Sequence, residues 1–323
     1  MSIRPELWEG CEPDLWRGCA HAWECDEMGH QNIRFYVARA MEGLRELLAR
    51  GGLRVKPAND EIEAWPVTHH LRLMLENRAG TPLHLRGGIV AIEAKTLRAA
   101  FTLFHSATGE ISATFLIDLE ARKKGSKTKA AWPDAFVSAV SLHPLPGLCQ
   151  PRGLTATSPF LIGLGEADAL GMIETGNGII PDEACDREER LRPENIIALL
   201  SDSTRSLTNE FHRAAESLSG APARIGSAGV ECRLRYYHRP RAGDRYVVRG
   251  GLSALSERSR KTLYWMLDRT TRTPIAELEA VELLLDLDRR RSFPLEERAL
   301  ASLGRLLVSA KQPIIPNQQG TDL

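Results

Sequence analysis

Apolar positions along this chain change their period in a fixed order, and that order occurs twice. In the first pass, His21–Cys25 reads as a short strand. Ile33, Val37, Ala40, Met41, Leu44, Leu47 and Leu48 then recur at spacings of three and four and predict one long helix. Arg34, Arg39, Glu42, Arg45 and Glu46 fill much of its other face, and Gly51-Gly52 supplies the stop. Period two follows, and it predicts strands over 68–75, 83–93, 95–105 and 110–120, the last after the turn Ala107-Thr108-Gly109. The second pass predicts a strand over 172–180 and a helix opened by Pro193, with Ile196, Leu200, Leu207 and Phe211 on one face. Strands over 231–237, 245–257, 261–268 and 275–286 complete it. An amphipathic helix over 294–309, with Leu295, Leu300, Leu303, Leu306 and Leu307, and a loose tail around 317–321 end the chain.

The repeat extends to particular residues. Cys25-Asp26 and Cys185-Asp186 each lead into a helix, and Arg78-Ala79-Gly80 and Arg241-Ala242-Gly243 precede Arg86-Gly87-Gly88 and Arg249-Gly250-Gly251. The offset is 160 residues at the Asp (186 − 26), 163 at the Ala-Gly (242 − 79) and 168 at the last strand (286 − 118), a drift that short loop insertions produce. The domain boundaries expected from this are 1–122 and 167–293, with a connector at 123–166 rich in Lys, Gly and Pro and a C-terminal segment at 294–323.

Composition narrows the function. The 323 residues carry 42 basic and 42 acidic side chains, and a balance of zero argues against a general nucleic-acid binder. No run approaches the ~20 apolar residues that span a bilayer, and the first residues lack a basic start followed by an apolar run, so the expected location is the cytoplasm. Six cysteines form no CxxC pair and no zinc spacing with histidine. They read as reduced thiols, with Cys25 and Cys185 packing beside the two Asp residues. Adjacent His69-His70 fall on opposite faces of a strand with no third ligand, so no metal site is expected.

Asp26-Glu27-Met28-Gly29-His30-Gln31-Asn32 resembles the D-x-x-G-H-x-N signature of hotdog acyl thioesterases of the 4-hydroxybenzoyl-CoA thioesterase type, and Arg241-Ala242-Gly243-Asp244 resembles the R-x-G-D turn of that family. The first copy has Thr81 where the second has Asp244. The resemblance implies an α+β chain of two tandem hotdog domains, each a long central helix wrapped by an antiparallel sheet, acting as an internal dimer. It also implies hydrolysis of an acyl-CoA or acyl carrier protein thioester with no cofactor, coenzyme A entering as part of the substrate, and it is compatible with a homo-oligomer of such chains. Expected catalytic residues are Asp26, as base or nucleophile, Gly29, His30 and Asn32, with backbone N–H groups near Asn32 and Ile33 holding the carbonyl oxygen. In copy two Gly29, His30 and Asn32 become Glu189, Arg190 and Arg192, so that site is expected to be silent or to bind.

Plainer roles stand beside these. An Asp before a helix complements the helix dipole, an Asn caps it, and a lone His there lies on the surface. Nine basic residues between Arg233 and Lys261 form the solvated face of a sheet or a landing patch for phosphates, for which Arg235, Arg239, Arg241, Arg258 and Arg260, with Asp186 and Arg190, are the expected contacts. Phe35, Tyr36 and Phe104 are expected to wall an acyl tunnel. Two other functions fit the same pattern, a non-catalytic acyl-CoA-binding protein and, less well because His follows Asp by four residues rather than five, an enoyl-CoA hydratase or dehydratase.

Overall fold

The computed structural model describes residues 8, 14–53, 62–155, 161–204, 206–209, 213, 222–289 and 291–308. Phe211, Ser309, the 317–321 tail and Cys11 lie outside the described residues. The first half holds β1 (Trp16–Cys19), α1 (Ile33–Arg50), β2 (Ile62–Leu73), β3 (Pro82–Ile92), β4 (Thr96–His105) and β5 (Ile111–Lys123). The second repeats this order with β6 (Ile173–Ile179), α4 (Pro193–Asp202), β7 (Ile225–Tyr236), β8 (Arg245–Leu255), β9 (Ser259–Asp268) and β10 (Pro274–Asp286). Between them lie α2 (Asp134–Ala139) and α3 (Leu164–Ala169), and β11 (Arg291–Ser292) and α5 (Glu297–Leu303) follow. Among these residues no helix is long and apolar enough to cross a membrane.

Ten strands run in the order β1-β3-β4-β5-β2-β7-β10-β9-β8-β6, with β11 beside β10, and every pairing is antiparallel. The order reads the same from both ends once each strand is replaced by its counterpart. At the centre β2 pairs with β7, and His70 lies opposite Arg233, its own counterpart 163 residues on (233 − 70). A pseudo-twofold axis therefore passes through that pair. The axis brings α1 and α4 together on one face of the sheet. Their apolar stripes merge with both half-sheets into one core that includes Val37, Leu44, Phe101, Phe115, Ile196, Leu200, Tyr264 and Leu278. Gly43 in α1 lets the helix press onto β3, since a Cβ there would stand 2.3 Å from Leu85.

The outer face is layered differently. Residues after β5 cross it, and α3 covers Val247, Leu263, Trp265 and Leu267. Trp8 and Cys149 close over Ala100, Phe104 and Leu116. Phe104 therefore faces the outer layer, correcting its expected place in a tunnel. At the seam Glu231 accepts hydrogen bonds from the backbone N–H groups of Arg152 (2.9 Å), Gly153 (2.6 Å) and Leu154 (3.2 Å), and from His70 (2.7 Å). Burial pushes the Glu231 carboxyl up, but these donors more than offset it and hold the group below its ordinary value.

Some expected elements differ. The strand expected at His21–Cys25 is a 3-10 turn over Ala22–Glu24, and the edge strand is Trp16–Cys19 instead. Strand β2 starts six residues earlier than the alternation suggests because Pro66 sits at a bulge, where the register shifts between Pro66 and Thr68. Strand β7 likewise reaches back past a bulge opposite Val281 and Glu282, through Gly229 and Gly226, to Ile225. Helix α1 has 18 residues and α4 ten, so the second central helix is the shorter one as described. The terminal helix is confined to Glu297–Leu303 and a 3-10 turn, after which Leu307 bridges to Leu252.

The loops leading into α1 and α4 share one backbone. Asp26 N–H donates to His30 O at 2.8 Å and Asp186 N–H to Arg190 O at 2.8 Å. Gly29 has φ +75°, and Glu189 holds the same left-handed conformation at φ 60°, where a side chain is strained. Glu189→Gly is expected to stabilise the fold by about 1 kcal/mol, read as a shifted midpoint in chemical denaturation.

His69 is fully enclosed on the helix side of β2, where it shares a 3.2 Å hydrogen bond with the Tyr236 hydroxyl. Burial pushes its pKa down from 6.5 to about 3. Below pH 6.5 the unfolded chain then binds a proton that the folded chain refuses, so stability falls as acid is added. Between about pH 7 and pH 5 the loss from this residue is ~2 kcal/mol. Urea denaturation at the two pH values is expected to show it, and His69→Gln to reduce it.

Candidate functional site

Asp26 stands exposed between the 3-10 turn and α1. Its Oδ1 accepts hydrogen bonds from Met28 N–H (2.9 Å) and His30 N–H (3.1 Å), while Oδ2 has no partner among the described residues. One oxygen thus shapes the loop, and the other is left open among the described residues. Gly29 adds no bulk on a side where a Cβ would meet nothing within 4 Å. His30 Nε2 lies 3.1 Å from both Glu76 and Arg78, which fixes the ring beside the loop.

The start of α1 is only partly open. Asn32 Oδ1 caps the helix by accepting from Arg34 N–H at 3.0 Å, and Asn32 N–H donates to Glu24 O at 2.8 Å. Of the two expected oxyanion donors, Asn32 N–H is therefore engaged. Ile33 N–H has no partner among the described residues, and it sits at the positive end of an 18-residue helix.

A buried polar network stands behind this loop, and sequence reasoning missed it. Glu24 accepts from Gln31 Nε2 at 2.7 Å and pairs with Arg39. Gln31 Oε1 accepts from Asn77 Nδ2 at 2.8 Å, and Asn77 Oδ1 lies 2.7 Å from both His105 Nε2 and Ser112 Oγ. The signal was available only by aligning the copies. Glu24, Gln31, Tyr36, Asn77 and Ser112 correspond to Ala184, Leu191, Ile196, Pro240 and Ile275, all without polar side chains. For Ser112 the register of the last strand (Leu73 opposite Ala113, Tyr236 opposite Ala276) gives an offset of 163 (276 − 113) rather than the expected 168. Shared backbone bonds support the alignment, since Gln31 N–H donates to Asn77 O at 2.8 Å and Leu191 N–H to Pro240 O at 2.9 Å.

Copy two keeps the loop and loses its open groups. Asp186 Oδ1 accepts from Glu188 N–H (2.9 Å) and Arg190 N–H (3.0 Å), as in copy one, but Oδ2 is bound by the Arg239 guanidinium. Burial pushes the Asp186 carboxyl up, and the Arg239 charge outweighs that and holds it below the ordinary range. Arg239 reaches Glu63 of the first half at 3.3 Å and lies 5.9 Å from the Trp65 ring. Its counterpart in copy one is Glu76. The counterpart of Ile33 is Pro193, which has no N–H.

The expected contacts of the basic run separate into groups. Asp186, Arg190, Arg239 and Arg241 gather at the second loop, with Arg241 3.5 Å from Glu189. Arg235 and Arg260 do not join them. Arg235 sits on the outer face, paired with Glu277 (3.0 Å), Arg260 lies on the helix side of β9, on the face of Thr262 and Tyr264, paired with Glu282 (2.6 Å), and Arg258 is exposed in the β8–β9 turn. Alternation along a strand and the spread over three strands divide residues that are close in sequence. A cavity of about 350 Å³ lies on that outer face between His70, Arg98, Gln150 and Arg235, and Asp26 is not among its walls. Cys25 and Cys185 donate to the carbonyls of His21 (3.4 Å) and Pro181 (3.6 Å), and burial pushes the Cys185 thiol up, as packing residues require.

Comparison with known proteins agrees with this architecture. Among solved structures, a 12:0-ACP thioesterase from Umbellularia californica superimposes with a TM-score of 0.64 at 9% identity, over 84% of this chain and 96% of that one. An acyl-ACP thioesterase from Bacteroides thetaiotaomicron gives 0.61 at 8% identity, over 83% and 96%. A protein assigned as an oleoyl thioesterase from Lactobacillus plantarum gives 0.64 at 11% identity, over 84% and 95%. No curated protein matches the chain in sequence. The profile of the thioesterase-like superfamily matches twice, over residues 20–140 and 185–303. Two such matches over most of the length, on two halves of one antiparallel sheet that each carry a helix, make this chain a tandem hotdog member of the thioesterase-like superfamily.

Proposed function

We propose that the chain hydrolyses acyl thioesters of coenzyme A or acyl carrier protein at one site, built from the Asp26 loop and the first turn of α1. One observation carries this reading. On a shared backbone, copy one has a carboxylate oxygen and a helix N–H without partners among the described residues, whereas in copy two Arg239 occupies the first and Pro193 deletes the second.

The chemistry follows from those two groups. Asp26 Oδ2 takes a proton from a water whose oxygen attacks the thioester carbonyl carbon. Negative charge moves to the carbonyl oxygen, and Ile33 N–H, at the positive end of α1, donates to it. Collapse breaks the carbon–sulfur bond, and the thiolate leaves with the proton held by Asp26, giving a carboxylic acid and a thiol. The Met28 and His30 N–H groups hold the carboxylate plane during transfer. The network through Glu24, Gln31 and Asn77 keeps the loop from shifting.

Asp26→Asn tests the base while keeping an acceptor for the loop bonds, and kcat is expected to fall about 10²–10⁴-fold on acyl-CoA and acyl-ACP substrates. A variant as active as the wild type would remove Asp26 from the mechanism. Binding of acyl-CoA without turnover by the wild type would favour the non-catalytic reading.

Ile33→Pro tests the donor. Asn32 at φ −64°, ψ 142° already has the conformation that precedes proline, and position 33 is the first of the helix, where proline is tolerated. The helix is expected to survive, by circular dichroism, with kcat lowered about 10²–10³-fold and KM little changed.

A further inference from the structure

Trp23 is the least buried tryptophan of the chain, with 75% of its surface in solvent, and it precedes Asp26 by three residues. Its ring stacks on His21 with centroids 4.1 Å apart and planes 7° from parallel. His21 thus covers one face of the indole and the other faces water. Met28, 43% exposed, is tied to Asp26 by its own N–H. Copy two has Glu183 and Glu188 at these positions, on the loop whose carboxylate is occupied by Arg239. The exposed apolar side chains therefore go with the open carboxylate and are replaced by charge where it is closed. The other tryptophans obey the usual rule, since Trp8, Trp65, Trp132 and Trp265 are buried and Trp16 lies under Arg39 at 4.6 Å.

We propose that Trp23, backed by His21 and flanked by Met28, is a stacking platform for a planar aromatic ring of the thioester substrate. A flat indole with one face already covered presents a single apolar plane, which suits an aromatic ring better than a flexible chain. Two parts of a thioester supply such a ring, the adenine of coenzyme A and an aromatic acyl group. The proposal rests on the reading of Asp26 as the reaction centre, because it takes the platform's ligand to be the substrate of that carboxylate.

Fluorescence separates the platform from the chemistry. Trp23, the most exposed tryptophan, is the one acrylamide reaches best, and thioether analogues, which resist hydrolysis, allow binding to be read without turnover. The probes are benzyl and dodecyl thioethers of coenzyme A and of pantetheine, with binding read by calorimetry. If adenine stacks, both coenzyme A thioethers shield Trp23 and neither pantetheine thioether does. If the acyl ring stacks, the benzyl thioethers shield it on both carriers. In either case Trp23→Glu, the residue of copy two, weakens the shielding ligand about tenfold and raises KM more than it lowers kcat, while Trp23→Phe restores most of the affinity. Thioethers that bind and leave quenching unchanged overturn the proposal, as does a Trp23→Glu variant that binds them as the wild type does. The quenching and calorimetric readouts need no turnover, so an active Asp26→Asn variant would defeat the catalytic reading separately.

Discussion

The pairing of β2 with β7 is the constraint on which the rest of this structure depends. Five residue pairs, from Thr68 with Arg235 to Arg72 with Glu231, turn two half-sheets into one and hide an edge that each half would otherwise expose. Once that register is set, α1 and α4 must lie on the same face and pack together. The same register puts Thr68, His70, Arg233 and Arg235 on the outer face of the seam, where His70 pairs with Glu231 and Arg233 with Glu279. Burial holds the His70 pKa below its ordinary value, so its contact with Glu231 is a hydrogen bond, and the buried Arg233–Glu279 ion pair contributes little net stability once desolvation is counted. Both do oppose slippage, since a shift of one residue would turn these polar groups into the apolar core. Three backbone N–H groups of the connector bind Glu231, so the segment joining the halves is fastened at the seam itself.

Joining two copies in one chain releases them from identity. In a dimer of identical chains, every residue of one site is also a residue of the other. Here the second loop has exchanged a buried polar network for Ala184, Leu191, Ile196, Pro240 and Ile275 without changing its backbone. Such networks rarely stabilise a fold as well as apolar packing does, because each donor and acceptor must be satisfied in a low dielectric. Copy one keeps that cost only behind the loop whose carboxylate has an oxygen free among the described residues.

Much of this was legible in the sequence, and the parts that were not have definite causes. The spacing of Val37, Ala40, Met41, Leu44 and Leu48 located α1, because a helix buried along one stripe writes its period directly. The resemblance of residues 26–32 to a known signature led to the loop that the structure builds before α1. Strands β2 and β7 are longer than their alternation shows because bulges beside Pro66 and Gly229 break it. The basic run misled because proximity in sequence does not survive a pleated strand, and Arg235 and Arg239 belong to different surroundings. The network through Glu24 and Asn77 joins residues 53 positions apart (77 − 24), a relation no local pattern encodes.

The Asp is the one member of the signature common to both loops, and the structure gives a reason that has nothing to do with catalysis. In each loop its Oδ1 accepts two backbone N–H groups that the turn leaves unpaired, so losing the side chain would unsettle the entry to the helix. The residue therefore has one structural task in both loops, and the proposed reaction adds a second, on the other oxygen, in the first loop alone. Its presence testifies to the first task alone. The second is decided by what reaches Oδ2 and by whether the first helical residue keeps its N–H, and at both of those points Arg239 and Pro193 set the second loop apart from the first.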